Sequence, residues 1–155
     1  MERIASFSVD HDKLQKGMYI SRVDGDVVTY DIRMKRPNRG DYLGNGALHT
    51  FEHLFATYAR NTKYSENVIY VGPMGCRTGF YFLVRDKISH EEALRLVLES
   101  FAFIRDYEGA IPGATQKECG NYREQDLPGA KAVAAEMCEV LADWTVERMD
   151  YDYEG

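Results

Sequence analysis

Gly46-Ala47-Leu48-His49-Thr50-Phe51-Glu52-His53-Leu54-Phe55-Ala56-Thr57-Tyr58-Ala59-Arg60 reads as one helix. At about 100° per residue, Leu48, Phe51, Leu54, Phe55 and Tyr58 gather on one arc, while His49 and His53 fall together on another beside Ala56 and Arg60. The two imidazoles stack one turn apart. Glu52 lies on the boundary between the arcs, so its carboxylate reaches toward whatever the imidazoles hold. Two histidines at i and i+4 bring ring nitrogens within about 2.0–2.1 Å of one metal ion without straining the helix, and supply half of a tetrahedral site. A solvated pair on an outer helix face has the same spacing, and a third ligand is what separates the two.

Composition narrows the classes. The 155 residues fit a single domain, residues 1–155, large enough to bury a core without disulfides. The 45% hydrophobic fraction, with 11 Tyr and 7 Phe, excludes disorder. A net charge of −6 without a Lys/Arg stripe argues against nucleic acid. No leading apolar segment and no apolar run of membrane-spanning length is visible, so a cytoplasmic, soluble protein with no membrane partner is expected. The three cysteines, Cys76, Cys119 and Cys138, are odd in number and widely spaced. They are unlike a disulfide framework and must each be a ligand, a catalyst or core. The acidic tail from Glu147 to Glu154 reads as a solvated end.

Outward from the central helix, residues 1–16 read as an ordered arm with strand character no further than Ile4 to Val9. Met18–Val23 and Val27–Met34 flank Asp24-Gly25-Asp26, a hairpin signal. In the second strand Val28, Tyr30, Ile32 and Met34 alternate with Thr29, Asp31 and Arg33. Arg33 thus falls on the polar face, where a strand arginine is ordinarily solvated. Lys35 to Asn45 is a loop delivering the chain to the central helix. Val68–Val71 and Phe80–Val84 read as two more strands, and Cys76 sits between them among Gly72, Gly75 and Gly79. There the backbone can approach a ligand closely, and the neighbouring Arg77 favours a thiolate. Ser89-His90-Glu91-Glu92 is a capping box for a helix to about Asp106, with His90 in its exposed first turn. Cys119 falls on a loop after Pro112-Gly113. A last helix from about Gly129 to Met149 carries Val133, Met137, Val140, Leu141 and Trp144 on its core face, with Cys138 beside them as a small buried hydrophobe. The order of elements predicts an α+β fold, an antiparallel sheet with helices covering one face in a two-layer sandwich.

Three stretches taken together carry a resemblance: His49-Thr50-Phe51-Glu52-His53-Leu54, Pro73-Met74-Gly75-Cys76-Arg77-Thr78-Gly79-Phe80-Tyr81 and Cys119-Gly120-Asn121-Tyr122. They resemble, in order and approximate spacing, the S-ribosylhomocysteine lyase (LuxS) family, as do Ala5-Ser6-Phe7-Ser8-Val9-Asp10-His11 and Tyr30-Asp31-Ile32-Arg33. The likeness spans nearly the whole chain. It implies a LuxS/metallopeptidase-like fold and cleavage of S-ribosylhomocysteine to homocysteine and 4,5-dihydroxy-2,3-pentanedione, the autoinducer-2 precursor of quorum sensing and a product of the methyl cycle. It further implies His49, His53 and Cys119 as ligands of one Fe(II) per subunit, a site that also accepts zinc or cobalt. Cys76 and Glu52 become the acid–base pair, and Ser6, His11 and Arg33 the substrate contacts, made across the interface of a homodimer. Two positions depart from the family pattern: Tyr70, where some members carry Asp, and Gln125, where many carry His.

The central motif alone admits two other readings. His-x-x-Glu-His is the order of an inverted-motif zinc metallopeptidase, in which Glu52 would activate water. A closed structural metal site is the other.

Overall fold

The computed structural model describes all of residues 1–155. Four strands, β1 (Gly17–Asp24), β2 (Val27–Arg33), β3 (Val68–Pro73) and β4 (Gly79–Arg85), form one antiparallel sheet in the order β1-β2-β4-β3. Three helices, α1 (Asn45–Ala59), α2 (His90–Arg105) and α3 (Leu127–Leu141), pack on it, which is the expected α+β two-layer sandwich. No helix is long and apolar enough to cross a membrane.

Alternation in the strands decides which face the helices cover. Tyr30 and Ile32 of β2, with Phe80, Phe82 and Val84 of β4, are fully buried on the inner face. They meet Phe51, Leu54 and Phe55 of α1, which are buried to 1% exposure or less. Phe51 lies 5.2 Å from Phe80 and 5.0 Å from Phe101 of α2 between ring centroids, and Phe55 lies 5.1 Å from Phe82. These tilted and edge-on aromatic contacts make α1 the middle of the core, in touch with β3, α2 and α3. Burying Phe51 and Phe55 aims His49 and His53 away from the core, because they lie on a different arc of the helix.

The β1–β2 hairpin closes through Gly25-Asp26, with Gly25 at φ 59° in the first central position, where a type II′ turn takes glycine. At α2 the capping box is complete: the Ser89 hydroxyl accepts from the Glu92 amide and the Glu92 carboxylate accepts from the Ser89 amide, both at 3.1 Å. Ser89→Ala is expected to destabilise the fold by about 1 kcal/mol and lower Tm by about 2–4 °C, read by thermal unfolding. An unchanged Tm would mean the cap does not hold α2.

Several expectations need correction. The polar face of β2 is not solvated: Asp31 and Arg33 are 1% and 2% exposed, because they pair with each other and the chain after α3 folds over them. The arm has a 3-10 turn at Ala5–Phe7 rather than a strand. α3 stops at Leu141, so Trp144 lies beyond it and its indole N–H donates to the Met18 carbonyl of β1 at 2.8 Å. His90 is half-buried, with Nδ1 2.6 Å from the Tyr30 hydroxyl. Burial pushes the Tyr30 phenol up, so Tyr30 is the donor. The tail is ordered on its sheet side: Met149 is fully buried and Tyr151 half-buried.

Candidate active site

α1 carries His49 and His53 to one side of the core, and the loop before α3 brings Cys119 to them. The three donor atoms lie within 4.8 Å of one another. His53 Nε2 is 3.0 Å from His49 Nε2, and Cys119 Sγ is 3.4 Å from His49 Nε2. Bonds of about 2.05 Å in a tetrahedral site would separate two nitrogens by about 3.3 Å, so the cluster has the dimensions of a metal site.

The other nitrogen of each ring decides what sits between them. His49 Nδ1 is 2.7 Å from the Glu124 carbonyl, and His53 Nδ1 is 2.7 Å from the Pro112 carbonyl. A carbonyl only accepts, so both Nδ1 atoms carry a proton and the two Nε2 atoms, turned toward each other, are the ones free to bind a metal. At 3.0 Å two such nitrogens need a proton or a metal ion between them. With a cysteine sulfur as the third donor, the set suits a divalent metal ion.

The residues that fix these tautomers carry little signal of their own in the sequence. Pro112-Gly113 reads only as a chain break, yet Gly113 has φ 72° and a Cβ there would lie 3.2 Å from His53 Nδ1. Glycine therefore lets Pro112 reach the ring. Thr50, fully buried, takes the Asp126 amide at 2.9 Å and donates to the Gln125 amide oxygen at 2.7 Å, tying α1 to the start of α3. Gln125 Nε2 lies 3.2 Å from His49 Nδ1. The Nδ1 proton of His49 already goes to Glu124 and the Gln125 oxygen already accepts from Thr50, so Gln125 packs against the ring edge rather than bonding to it.

A second group forms at the ends of β2 and β4. Ser6, His11, Arg33 and Cys76 line one cavity of about 370 Å³ with Tyr42, Thr78 and Tyr81. Cys76 lies in the turn between β3 and β4 and is exposed, with Sγ 3.1 Å from the Thr78 hydroxyl. Arg33 reaches Thr78 Oγ1 at 2.8 Å and grips Asp31 through two nitrogens at 3.1 and 2.7 Å. Burial opposes the Arg33 charge, but Asp31 outweighs it and the guanidinium pKa ends raised. None of His49, His53 and Cys119 lines this cavity. Glu52, half-buried on α1, enters none of the chain's ion pairs. Tyr70 is 54% exposed and lines an adjoining cavity of about 300 Å³ that also includes Ser6 and Tyr81. Cys138 stands apart, half-buried against the core, with burial pushing its thiol up.

Comparison with known proteins places the chain in a family. The chain is 48% identical to the S-ribosylhomocysteine lyase of Phocaeicola vulgatus, covering 97% of this chain and 98% of that one. It is 43% identical to the S-ribosylhomocysteine lyase of Clostridium acetobutylicum, over 97% and 99%, and 41% identical to that of Borreliella burgdorferi, over 97% and 99%. The family model for S-ribosylhomocysteinase (LuxS) matches residues 4–148. On the extent of these matches, the chain belongs to the S-ribosylhomocysteinase (LuxS) family.

Proposed function

We propose that this protein is a metal-dependent carbon–sulfur lyase that cleaves S-ribosylhomocysteine to homocysteine and 4,5-dihydroxy-2,3-pentanedione, the autoinducer-2 precursor. The observation that carries the reading is the convergence of His49, His53 and Cys119, with both Nε2 atoms turned inward, in a chain that also holds an exposed thiol in a polar cavity. A divalent ion held by those three side chains, Fe(II) in our assignment, supplies Lewis acidity to a substrate whose carbonyl must migrate along the sugar.

The chain's own residues move the protons. Cys76 as thiolate removes the proton beside the carbonyl and returns it at the neighbouring carbon, which shifts the carbonyl by one position. Thr78 and Arg33 hold the thiol side of this exchange. Glu52, one residue from His53 and three from His49, serves the later carbons. It takes the proton next to the migrated carbonyl, and that electron pair expels the homocysteine sulfur as the C–S bond breaks. Ser6 and His11 present polar groups to the substrate, and Arg33 contributes positive charge from the cavity wall.

The reading includes a homodimer with shared sites. In one chain the thiol cavity and the metal-type cluster are lined by different residues, and the arm leaves Ile4 and Phe7 54% and 71% exposed. In this reading a symmetric partner supplies the metal set that faces each chain's Cys76. Cytoplasmic residence suits three free cysteines, two of which, Cys76 and Cys119, the reaction needs reduced.

Protein loaded with Fe(II) without oxygen and mixed with S-ribosylhomocysteine should release free homocysteine thiol, and a chelator should stop it. Folded, metal-loaded protein that releases none would overturn the proposal.

A further inference from the structure

The segment after α3 returns to the outer face of the sheet and ends a hydrogen-bond chain that begins at the thiol. Trp144 and buried Met149 anchor it on β1. The Tyr151 ring then stacks on Tyr19, with centroids 5.0 Å apart and planes 18° from parallel. Its hydroxyl lies 2.7 Å from Asp31 Oδ2. Burial, and then the Asp31 charge, push this phenol up, so Tyr151 donates to the carboxylate at neutral pH. Asp31 in turn takes both Nε and an Nη of Arg33, and the other Nη donates to Thr78 Oγ1 at 2.8 Å. An oxygen already accepting from a guanidinium is left to turn its own proton outward, here toward Cys76 Sγ at 3.1 Å. Asp31, Arg33 and Thr78 are each 2% exposed or less, so water does not compete for these bonds.

We propose that Tyr151 is a positioning residue for Cys76, acting through Asp31, Arg33 and Thr78. The proposal rests on the reading of Cys76 as the acid–base thiol, and it reaches beyond residues 4–148, where the family model matches. The logic is one of charge allocation. Asp31 shares its negative charge among three donors; without the phenol it draws harder on Arg33, and the guanidinium then supports the Thr78 hydroxyl and the thiolate less well. The other groups around the thiol are His11 from the arm, Tyr42 from the loop before α1, Tyr81 from β4 and Arg77 beside it in the turn. Tyr151 bonds to none of them, and among them Tyr81, opposite Asp31 on β4, also feels the Asp31 charge.

Tyr151→Phe keeps the stacked ring and removes only the hydroxyl. Alkylation at Cys76, followed by mass spectrometry of its own peptide between pH 6 and 9 so that Cys119 and Cys138 do not interfere, is the readout. The variant should alkylate about threefold more slowly at pH 7, with its profile displaced upward by about half a pH unit. Trp144→Phe, which loosens the same segment at its other anchor, should lower Tm and leave the profile in place. An unchanged profile in Tyr151→Phe, or equal displacement in both variants, would overturn the proposal. The labelling needs no turnover, so it answers separately from whether the parent releases homocysteine.

Discussion

Cys76→Ala should lower homocysteine release by about 10²–10⁴-fold while metal content and Tm stay at parent values. The exchange between neighbouring carbons needs a group that both takes and returns a proton, and an alanine methyl does neither. Cys76 is exposed in a turn, so the substitution opens no cavity, and its effect on stability should stay within about 0.5 kcal/mol. Cys76→Ser should be nearly as damaging, because a hydroxyl is not deprotonated near neutral pH by surroundings that suffice for a thiol. Steady-state rates beside metal analysis check this. A Cys76→Ala protein that turns over at the parent rate would remove the thiol from the mechanism.

The same variant tests how the sites are shared. In the proposed homodimer, mixing equal amounts of Cys76→Ala and Cys119→Ala chains through reversible dissociation makes about half of the dimers mixed. Each mixed dimer has one intact site and one doubly defective site if thiol and metal set come from different chains, so activity should return to about a quarter of the parent value. If both groups act within one chain, no site is intact and none returns.

Much of this arrangement is legible in residue spacing. Helical periodicity from Gly46 to Arg60 places Phe51 and Phe55 in the core and the two histidines on another face, because one helix cannot bury both arcs. The capping box at Ser89 and the hairpin at Gly25 are local chemistry, decided within four residues, and both occur as read. What stays illegible depends on residues far apart in the chain. Arg33 on an alternating strand looks solvated until Tyr151, 120 residues beyond Asp31, covers the pair. Pro112 and Glu124 reach the histidines only through their carbonyls, and any residue type presents a carbonyl. α3 looks longer in sequence because Trp144 continues its apolar spacing, yet the indole is taken by the Met18 carbonyl of β1 and the helix ends three residues earlier.

The thiol of Cys119 and that of Cys138 should behave oppositely toward metal. Cys119→Ala removes one of three protein donors and leaves only His49 and His53, a pair that binds divalent ions weakly on a helix surface. Loss of partners that merely orient ligands costs 10–100-fold in affinity, so loss of a ligand should exceed about 100-fold. After dialysis against a weak chelator, metal measured by elemental analysis should fall from one ion per chain to below about a tenth, and lyase activity should fall with it. Cys138→Ala should keep both, because that thiol is half-buried against the core and burial pushes it up, away from the thiolate a metal needs. Equal loss in the two variants would show that the metal responds to general loosening of the fold. Full retention in Cys119→Ala would mean that another side chain completes the site, and Glu52, one residue before His53 and in no ion pair, would be the first to replace in turn.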